Sequence, residues 1–192
     1  MDSISSSMVA KTLLGPSGRA IAHPMEPELA KGLNQHITME RNASQFYFGF
    51  SLWFLQKELK GFSKFFQKES LEEQKHARCF SEYLVARSQN VYLEELKAPV
   101  IDTQEIVDIL SFSLRMESDL SSSINQLYVI AEKNSDIRTT VFLDPSIENQ
   151  IKSEDLFAYL LGRVKFAENN TSSLLIIDNE ISNNEFKPAV KI

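Results

Sequence analysis

The chain has 192 residues, a formal net charge of −6 at pH 7, 43% hydrophobic residues, and only 6 glycines and 6 prolines. So few chain-breaking residues disfavour a sandwich or barrel, in which turns recur about every ten residues. The single cysteine excludes an internal disulfide, no apolar run approaches the ~20 residues that cross a bilayer, and the acidic balance offers no basic surface to nucleic acid. The first residues lack a secretion signal, so we expect a cytoplasmic protein without nucleic-acid or membrane partners.

The N-terminal third predicts an arm followed by two long helices. Residues 1–26 are serine-rich and then interrupted by glycine and proline, so we expect a flexible arm. No proline occurs between Glu28 and Val91, which leaves room for two long helices. Gly61 follows the charged run at 57–60 and is predicted to cap the first helix and separate it from the second.

A long connection and a third helix come next. Residues 89–102 contain asparagine and proline and predict the connection. The third helix is predicted from about Thr103 to about Lys133, with Asp102 as its N-cap. Glu105 lies three residues later, at the spacing of a capping box.

The last third predicts a fourth long helix and a short fifth one. Residues 134–136 mark a break and a candidate N-cap, and the fourth helix runs to about residue 166. Pro145 either kinks this helix or begins it, with Asp144 as the cap in the second case. Residues 174–181 predict the fifth helix, and residues 184–192 are expected to form a C-terminal tail. Residues 27–183 therefore predict an all-α four-helix bundle with a long crossover between the second and third helices.

Each long helix carries an apolar stripe that acids or an amide interrupt near its middle. The interrupting residues, in helix order, are Glu40, then Glu69 and Glu73, then Glu117, then Gln150 and Glu154. Stacked side by side, they would meet at one level inside the bundle. Burying an ionised carboxylate costs several kcal/mol, and no arginine or lysine lies at these stripe positions. Either the acids are protonated or a cation lies among them, and a divalent metal is the simplest answer.

The spacing of the second helix supports a metal. Taken singly, a glutamate is most simply a solvated surface residue, and a lone histidine on an apolar face is more often a core residue. Glu73 and His76, however, form Glu-x-x-His, which places a carboxylate and an imidazole on one helix face. Carboxylate oxygens with one imidazole suit Fe²⁺, Mn²⁺ or Zn²⁺. Cys79 is rotated off this cluster and is expected to be a small hydrophobe, buried or partly exposed.

These residues resemble the motifs of the ferritin family. The segments that carry the resemblance are MERNASQFY at 39–47, EEQKHA at 72–77, ME at 116–117 and ENQ at 148–150, spread over about residues 28–181. Residues 134–164 are most similar to non-haem ferritins of cyanobacteria. The resemblance implies a ferritin-like four-helix bundle with a short C-terminal fifth helix.

The resemblance also implies a ferroxidase centre. Glu40 and His76 would hold one iron, Glu73 would bridge, and Glu117 would hold the second iron with Gln150 nearby. Two Fe²⁺ would be oxidised there by O₂ or H₂O₂. The ferric product would then move to a mineral inside a homo-oligomeric, 24-subunit cage.

Several positions refine this assignment. Tyr47 would lie beside the iron pair as a hydrogen-bond donor or one-electron reductant. Gln150 and Ser153 stand where symmetrical di-iron bundles carry a second Glu-x-x-His, which implies weaker binding of the second iron and suits iron that passes through. Gln74 follows the bridging glutamate where the haem-binding branch has a methionine, so no haem is expected. One cysteine cannot supply a rubredoxin site.

Four further acids suggest a route for iron. Glu69 and Glu154 would form a transfer path or a third metal site toward the cavity, unless they are a partly solvated inner face. Glu72 is a candidate partner on that surface. Asp144 is a candidate lining residue of the threefold channel through which iron enters a cage. Two other functions stay open: an oxidase with a di-metal centre that acts on an organic substrate, and a cage subunit without ferroxidase activity.

Overall fold

The computed structural model describes residues 12–96, 98–168 and 170–183. A short hairpin precedes five helices, with the bounds β1 Leu13–Leu14, β2 Ala20–Ile21, α1 Pro27–Gln56, α2 Lys60–Ala86, α3 Ile106–Lys133, α4 Ile137–Phe166 and α5 Thr171–Ser182. Helix α1 packs against α2 and α3, α3 against α4, and α5 against α2. The predicted all-α bundle, with its crossover between α2 and α3 and its short fifth helix, is confirmed.

The turn between α1 and α2 differs from the prediction. Its left-handed residue is Glu58, with φ of 60°, and not Gly61. Gly61 lies in the first turn of α2, where a Cβ would overlap the backbone carbonyl of Asp178 in α5. The Asp178 carboxylate also accepts a 2.8 Å hydrogen bond from the backbone N–H of Phe62. Gly61 is therefore required for the close approach of α5, and its prediction as a helix cap is wrong.

Helix α3 begins three residues later than predicted. Its first residue is Ile106, and the preceding turn is organised by Thr103 instead of Asp102. The Thr103 hydroxyl accepts a 3.1 Å hydrogen bond from the backbone N–H of Glu105 and donates a 2.7 Å hydrogen bond to the carboxylate of Asp108. The Thr103 side chain thus organises the turn before α3, where the sequence predicts that Asp102 does so.

Helix α4 begins at Ile137 and passes through Pro145 without ending. Its N-cap is Asp136, whose carboxylate accepts a hydrogen bond from the backbone N–H of Thr139. The alternative in which Asp144 begins the helix is therefore wrong. Asp136 also forms a 2.8 Å ion pair with Arg87, which ties the end of α2 to the start of α4.

The described part of the predicted arm is an ordered hairpin. Strands β1 and β2 pair antiparallel, with Leu13 opposite Ile21. Gly15 approaches Ser88 so closely that a Cβ would overlap it, and Arg19 donates a 2.8 Å hydrogen bond to the carbonyl of Val85. The hairpin therefore contacts the end of α2, and the predicted flexibility of the arm stays a prediction. Residues 1–11 and the predicted tail 184–192 lie outside the described residues.

The core consists of two apolar clusters, one at each end of the bundle. An aromatic cluster contains Tyr47, Phe54, Phe66 and Phe157, and a mainly aliphatic cluster is centred on residues such as Leu33. Between them lie the polar stripe residues, which we call the polar layer: Glu40, Glu73, His76, Glu117 and Gln150. Among the described helices, none is long and apolar enough to cross a bilayer.

Candidate metal centre

Three side chains of the polar layer converge at one point. Glu40 comes from α1, and Glu73 and His76 come from one face of α2; each offers a ligand atom within 4.8 Å of the others. The Nδ1 atom of His76 lies 3.1 Å from Glu73 Oε2 and 3.8 Å from Glu40 Oε2. Both carboxylates are buried, whereas His76 is half-buried. The helical periodicity that predicts these positions thus brings together donors suited to a divalent cation.

Glu117 on α3 is the next carboxylate of the polar layer and is held by two neighbours. The hydroxyl of Tyr47 donates a hydrogen bond to its Oε1 atom. Gln150 on α4 donates from Nε2 to the Glu117 Oε2 atom at 2.7 Å, and to the Glu117 backbone carbonyl at 2.9 Å. Each of the four long helices therefore contributes to the polar layer, and two of them fix the orientation of the third carboxylate.

The pKa values of the converging groups show what a cation would have to displace. Burial by itself raises the pKa of Glu40, but contacts with Glu73 and with the imidazoles of His36 and His76 outweigh burial, and the pKa of Glu40 is lowered. Burial and the neighbouring Glu40 carboxylate raise the pKa of Glu73 well above its ordinary value. Contacts with Glu40 and Glu73 raise the pKa of His76 to about 11. Near neutral pH these side chains thus retain protons that a bound metal ion would displace.

The pKa values of Glu117 and Tyr47 are both raised. Burial raises the pKa of Glu117 to about 7, although the hydrogen bonds from Tyr47 and Gln150 act against this rise. Burial and the negative charge of Glu117 raise the pKa of Tyr47 well above 10.0, so the phenol keeps its proton. Glu69 contributes a further negative charge to both groups.

Glu69 and Glu154 lie at the margin of the polar layer. Glu69 is buried, and burial raises its pKa; its Oε1 atom is 3.7 Å from the Lys68 ammonium. Glu154 is half-buried, accepts a hydrogen bond from the Ser121 hydroxyl, and borders a cavity of about 140 Å³ that Gln150 also lines. The structure does not bring either acid into the three-residue cluster, and their role in a transfer path stays a prediction.

The remaining predicted residues lie outside the centre. Glu72 forms a 2.8 Å ion pair with Lys75 on α2, and this contact lowers its pKa. Asp144 is exposed on α4. Cys79 is exposed as well, so the expectation that its thiol packs as a small hydrophobe is wrong.

One residue of the centre is missed by the sequence analysis. His36 is fully buried on α1, one turn before Glu40, and its Nε2 atom is 2.9 Å from Glu40 Oε1. A three-residue step along the apolar stripe of α1 leads from Glu40 back to Ile37. A four-residue step reaches His36, which lies on the same face, and this signal could have identified it.

The comparisons with known proteins agree with the fold. The sequence model of the ferritin-like domain matches residues 30–167, and the chain therefore belongs to this family. It is similar to the bacterial non-heme ferritin of Campylobacter jejuni, with 27% identity over 159 residues that cover 83% of the chain and 95% of the relative. The likeness to a bacterial non-haem ferritin is thereby confirmed, and the narrower likeness to the cyanobacterial branch stays a prediction.

Two solved structures are similar as well. An open pore ferritin of the archaeon Archaeoglobus fulgidus has a TM-score of 0.80 and 22% identity, covering 82% of this chain and 98% of that one. A PmFTN variant soaked in iron has a TM-score of 0.76 and 27% identity, covering 79% of this chain and 98% of that one.

Proposed function

We propose that this chain is an iron-storage ferritin that oxidises Fe²⁺ at the polar layer and deposits ferric mineral inside a homo-oligomeric cage. The observation that carries the proposal is the convergence of two buried carboxylates, Glu40 and Glu73, on the imidazole of His76, with the buried carboxylate of Glu117 in the same polar layer. Ionised carboxylates at this depth need cationic compensation, and their oxygen atoms are hard donors that suit iron. The bacterial non-heme ferritin relatives support the same function.

In this proposal each residue has a separate task. Glu40 and His76 hold the first Fe²⁺, Glu73 bridges, and Glu117 holds the second. Binding displaces the protons that the empty cluster retains, and O₂ or H₂O₂ then accepts the electrons of the two ions. Gln150 orients Glu117 through its hydrogen bonds.

Tyr47 and the margin acids complete the proposed path. The Tyr47 hydroxyl, hydrogen-bonded to Glu117, serves as a donor or as a source of one electron. Glu69 and Glu154 lead the oxidised iron out of the centre, with Glu72 beyond them on the surface. Asp144 contributes to a threefold channel in the cage. The centre holds iron as substrate in transit and uses no haem.

Exposed apolar side chains support the homo-oligomer. Phe48, Leu52 and Leu55 follow one face of α1, and each exposes more than 40% of its surface. Exposed apolar patches of this kind mark protein interfaces. We propose 24 copies, which at −6 each carry on the order of −140 formal charges and concentrate cations at the pores. A mass measurement in solution tests this: a stable monomer or dimer at micromolar concentration contradicts the cage. The compartment we propose is the cytoplasm.

An oxidase acting on an organic substrate is the second candidate. Such an enzyme needs a pocket beside the metals, and small-molecule sites usually enclose ~300–1,000 Å³. The cavity beside Gln150 measures about 140 Å³. This size favours ions and O₂ as reactants.

Iron oxidation by the metal-free protein tests the catalytic proposal. The protein is mixed with Fe²⁺ without oxygen, oxygen is then admitted, and absorbance is followed. We expect a fast phase that saturates at about two Fe²⁺ per subunit and is lost in Glu73→Ala and in His76→Ala. Glu82→Ala is the matched control, because Glu82 is an exposed glutamate on the same helix. Equal fast phases in all four proteins would remove Glu73 and His76 from the mechanism.

A further inference from the structure

His36 is the most unusual buried group of the centre. Its imidazole has no solvent exposure and lies edge-on to Phe80, with 4.4 Å between the ring centroids. Its Nδ1 atom is 3.0 Å from the Ser123 hydroxyl on α3. The other ring nitrogen, Nε2, points into the polar layer beside Glu40.

The contact between His36 and Glu40 is close but is not a hydrogen bond. Nε2 lies 2.9 Å from Glu40 Oε1, yet it has no aligned hydrogen-bond partner. Glu40 Oε2 is also buried without a partner. Buried polar atoms are almost always satisfied in native proteins, so two orphaned atoms in adjacent side chains require an explanation.

A metal ion explains both atoms. Two donors that each lie ~2.1 Å from one ion are ~3.0 Å apart at the octahedral angle and ~3.4 Å apart at the tetrahedral angle. The separation of 2.9 Å between His36 Nε2 and Glu40 Oε1 is close to the octahedral value. Histidines that bind a metal through one ring nitrogen almost always donate the other N–H to an oxygen atom. The Ser123 hydroxyl is placed to accept that bond from Nδ1, which leaves the Nε2 lone pair free.

We infer that His36 is a further metal ligand, whose Nε2 atom binds the cation held by Glu40. This inference rests on the proposed function, because it adds a donor to the same centre. His36 would thus add to the ligands of the first ion, which Glu40 and His76 hold, and leave the second position without an imidazole. The centre then has two imidazoles, one from α1 and one from α2, and favours cations with nitrogen affinity over Mg²⁺ or Ca²⁺.

Counting imidazoles on a bound probe ion tests the inference. Metal-free protein receives one Cu²⁺ per subunit, and nitrogen couplings are counted by pulsed electron paramagnetic resonance. We expect two imidazoles in the wild type and one in His36→Leu. His23→Leu is the matched control, because His23 is exposed and lies outside the centre; it is expected to keep both. One imidazole in both the wild type and His36→Leu would overturn the inference.

Co²⁺ affinity supplies a second measurement and separates this inference from the proposed function. In anaerobic titrations, we expect His36→Leu to weaken binding of the first Co²⁺ by roughly tenfold or more. His36→Gln, which keeps a polar side chain in the same space, is expected to weaken it as well. If both variants bind the first Co²⁺ with wild-type affinity, His36 is not a ligand, and the proposed function is unaffected. A wild type that binds no Co²⁺ would overturn the metal centre and this inference together.

Discussion

Replacing Glu117 with glutamine should change how the stability of the metal-free protein depends on pH. Burial raises the Glu117 pKa from 4.5 to about 7, so the folded protein holds this proton more tightly than the unfolded chain. Stabilisation by the protonated group is therefore complete below pH 4.5 and is lost as the pH rises through about 7. At ~1.4 kcal/mol for each tenfold change in proton affinity, the ionised carboxylate costs the empty fold on the order of 3 kcal/mol.

Glutamine imitates the protonated acid and does not titrate. We therefore expect Glu117→Gln and wild type to have similar stability near pH 5, and the variant to be more stable near pH 8. For a chain of this size, ~3 kcal/mol corresponds to about 6–12 °C in the thermal midpoint. The assay is thermal unfolding followed by circular dichroism, after chelation of metals, at several pH values. Titration of His76 is shared by both proteins and largely cancels in the comparison.

If the difference between the thermal midpoints of wild type and Glu117→Gln does not change with pH, the raised pKa of Glu117 is refuted as its cause. A second arm adds Co²⁺ at pH 8. The wild type should then gain stability, because the cation compensates its carboxylate, and Glu117→Gln should gain less. Equal gains would mean that Glu117 does not contact the added cation.

Four further substitutions test other parts of the molecule. Tyr47→Phe should leave Fe²⁺ binding unchanged but alter the oxidation kinetics in stopped-flow absorbance, and unchanged kinetics would reduce Tyr47 to a packing residue. Gly61→Ala should lower stability by about 1–3 kcal/mol, because its methyl group overlaps the α5 backbone. Gly162→Ala, with open space around its helical Cα, should instead raise stability by ~0.5–1 kcal/mol; similar thermal shifts in the two variants would argue against the α5 contact. Arg87→Met should cost about 3 kcal/mol, since it leaves the carboxylate of Asp136 without its ion-pair partner. Urea unfolding measures this loss, and a midpoint equal to that of wild type would show that the ion pair adds nothing.

Helical periodicity was sufficient to predict most of the polar layer. Glu40, Glu73 and Glu117 interrupt their apolar stripes at matching depth, and their burial follows from the way amphipathic helices pack. The partners of Glu117 were predictable for the same reason, since Tyr47 and Gln150 occupy stripe positions on α1 and α4. The pattern does not predict which side-chain atoms contact each other, because these contacts depend on the rotation of each helix about its axis.

The errors arise where distant segments decide the local structure. Gly61 looks like a helix cap by its neighbours in sequence, but α5, more than a hundred residues later, fixes its role. The spacing of His36 and Glu40 on α1 indicates that they share a face, but the contacts of the His36 ring with Phe80 on α2 and Ser123 on α3 depend on how the helices pack. Asp102 is not the N-cap of α3: the N-cap is Glu105, and the Thr103 hydroxyl organises the turn before it. Cap propensity alone hardly distinguishes Asp102 from Thr103.

The division of the core into two apolar clusters has a mechanical consequence. Each cluster is packed by its own side chains, and only the polar layer separates them. Binding and release of ions would change the charge and the number of bound protons in the polar layer, whereas the two apolar clusters would keep their packing. In the proposed function, ions would therefore enter and leave through the polar layer, and the two apolar clusters would not have to repack in each cycle.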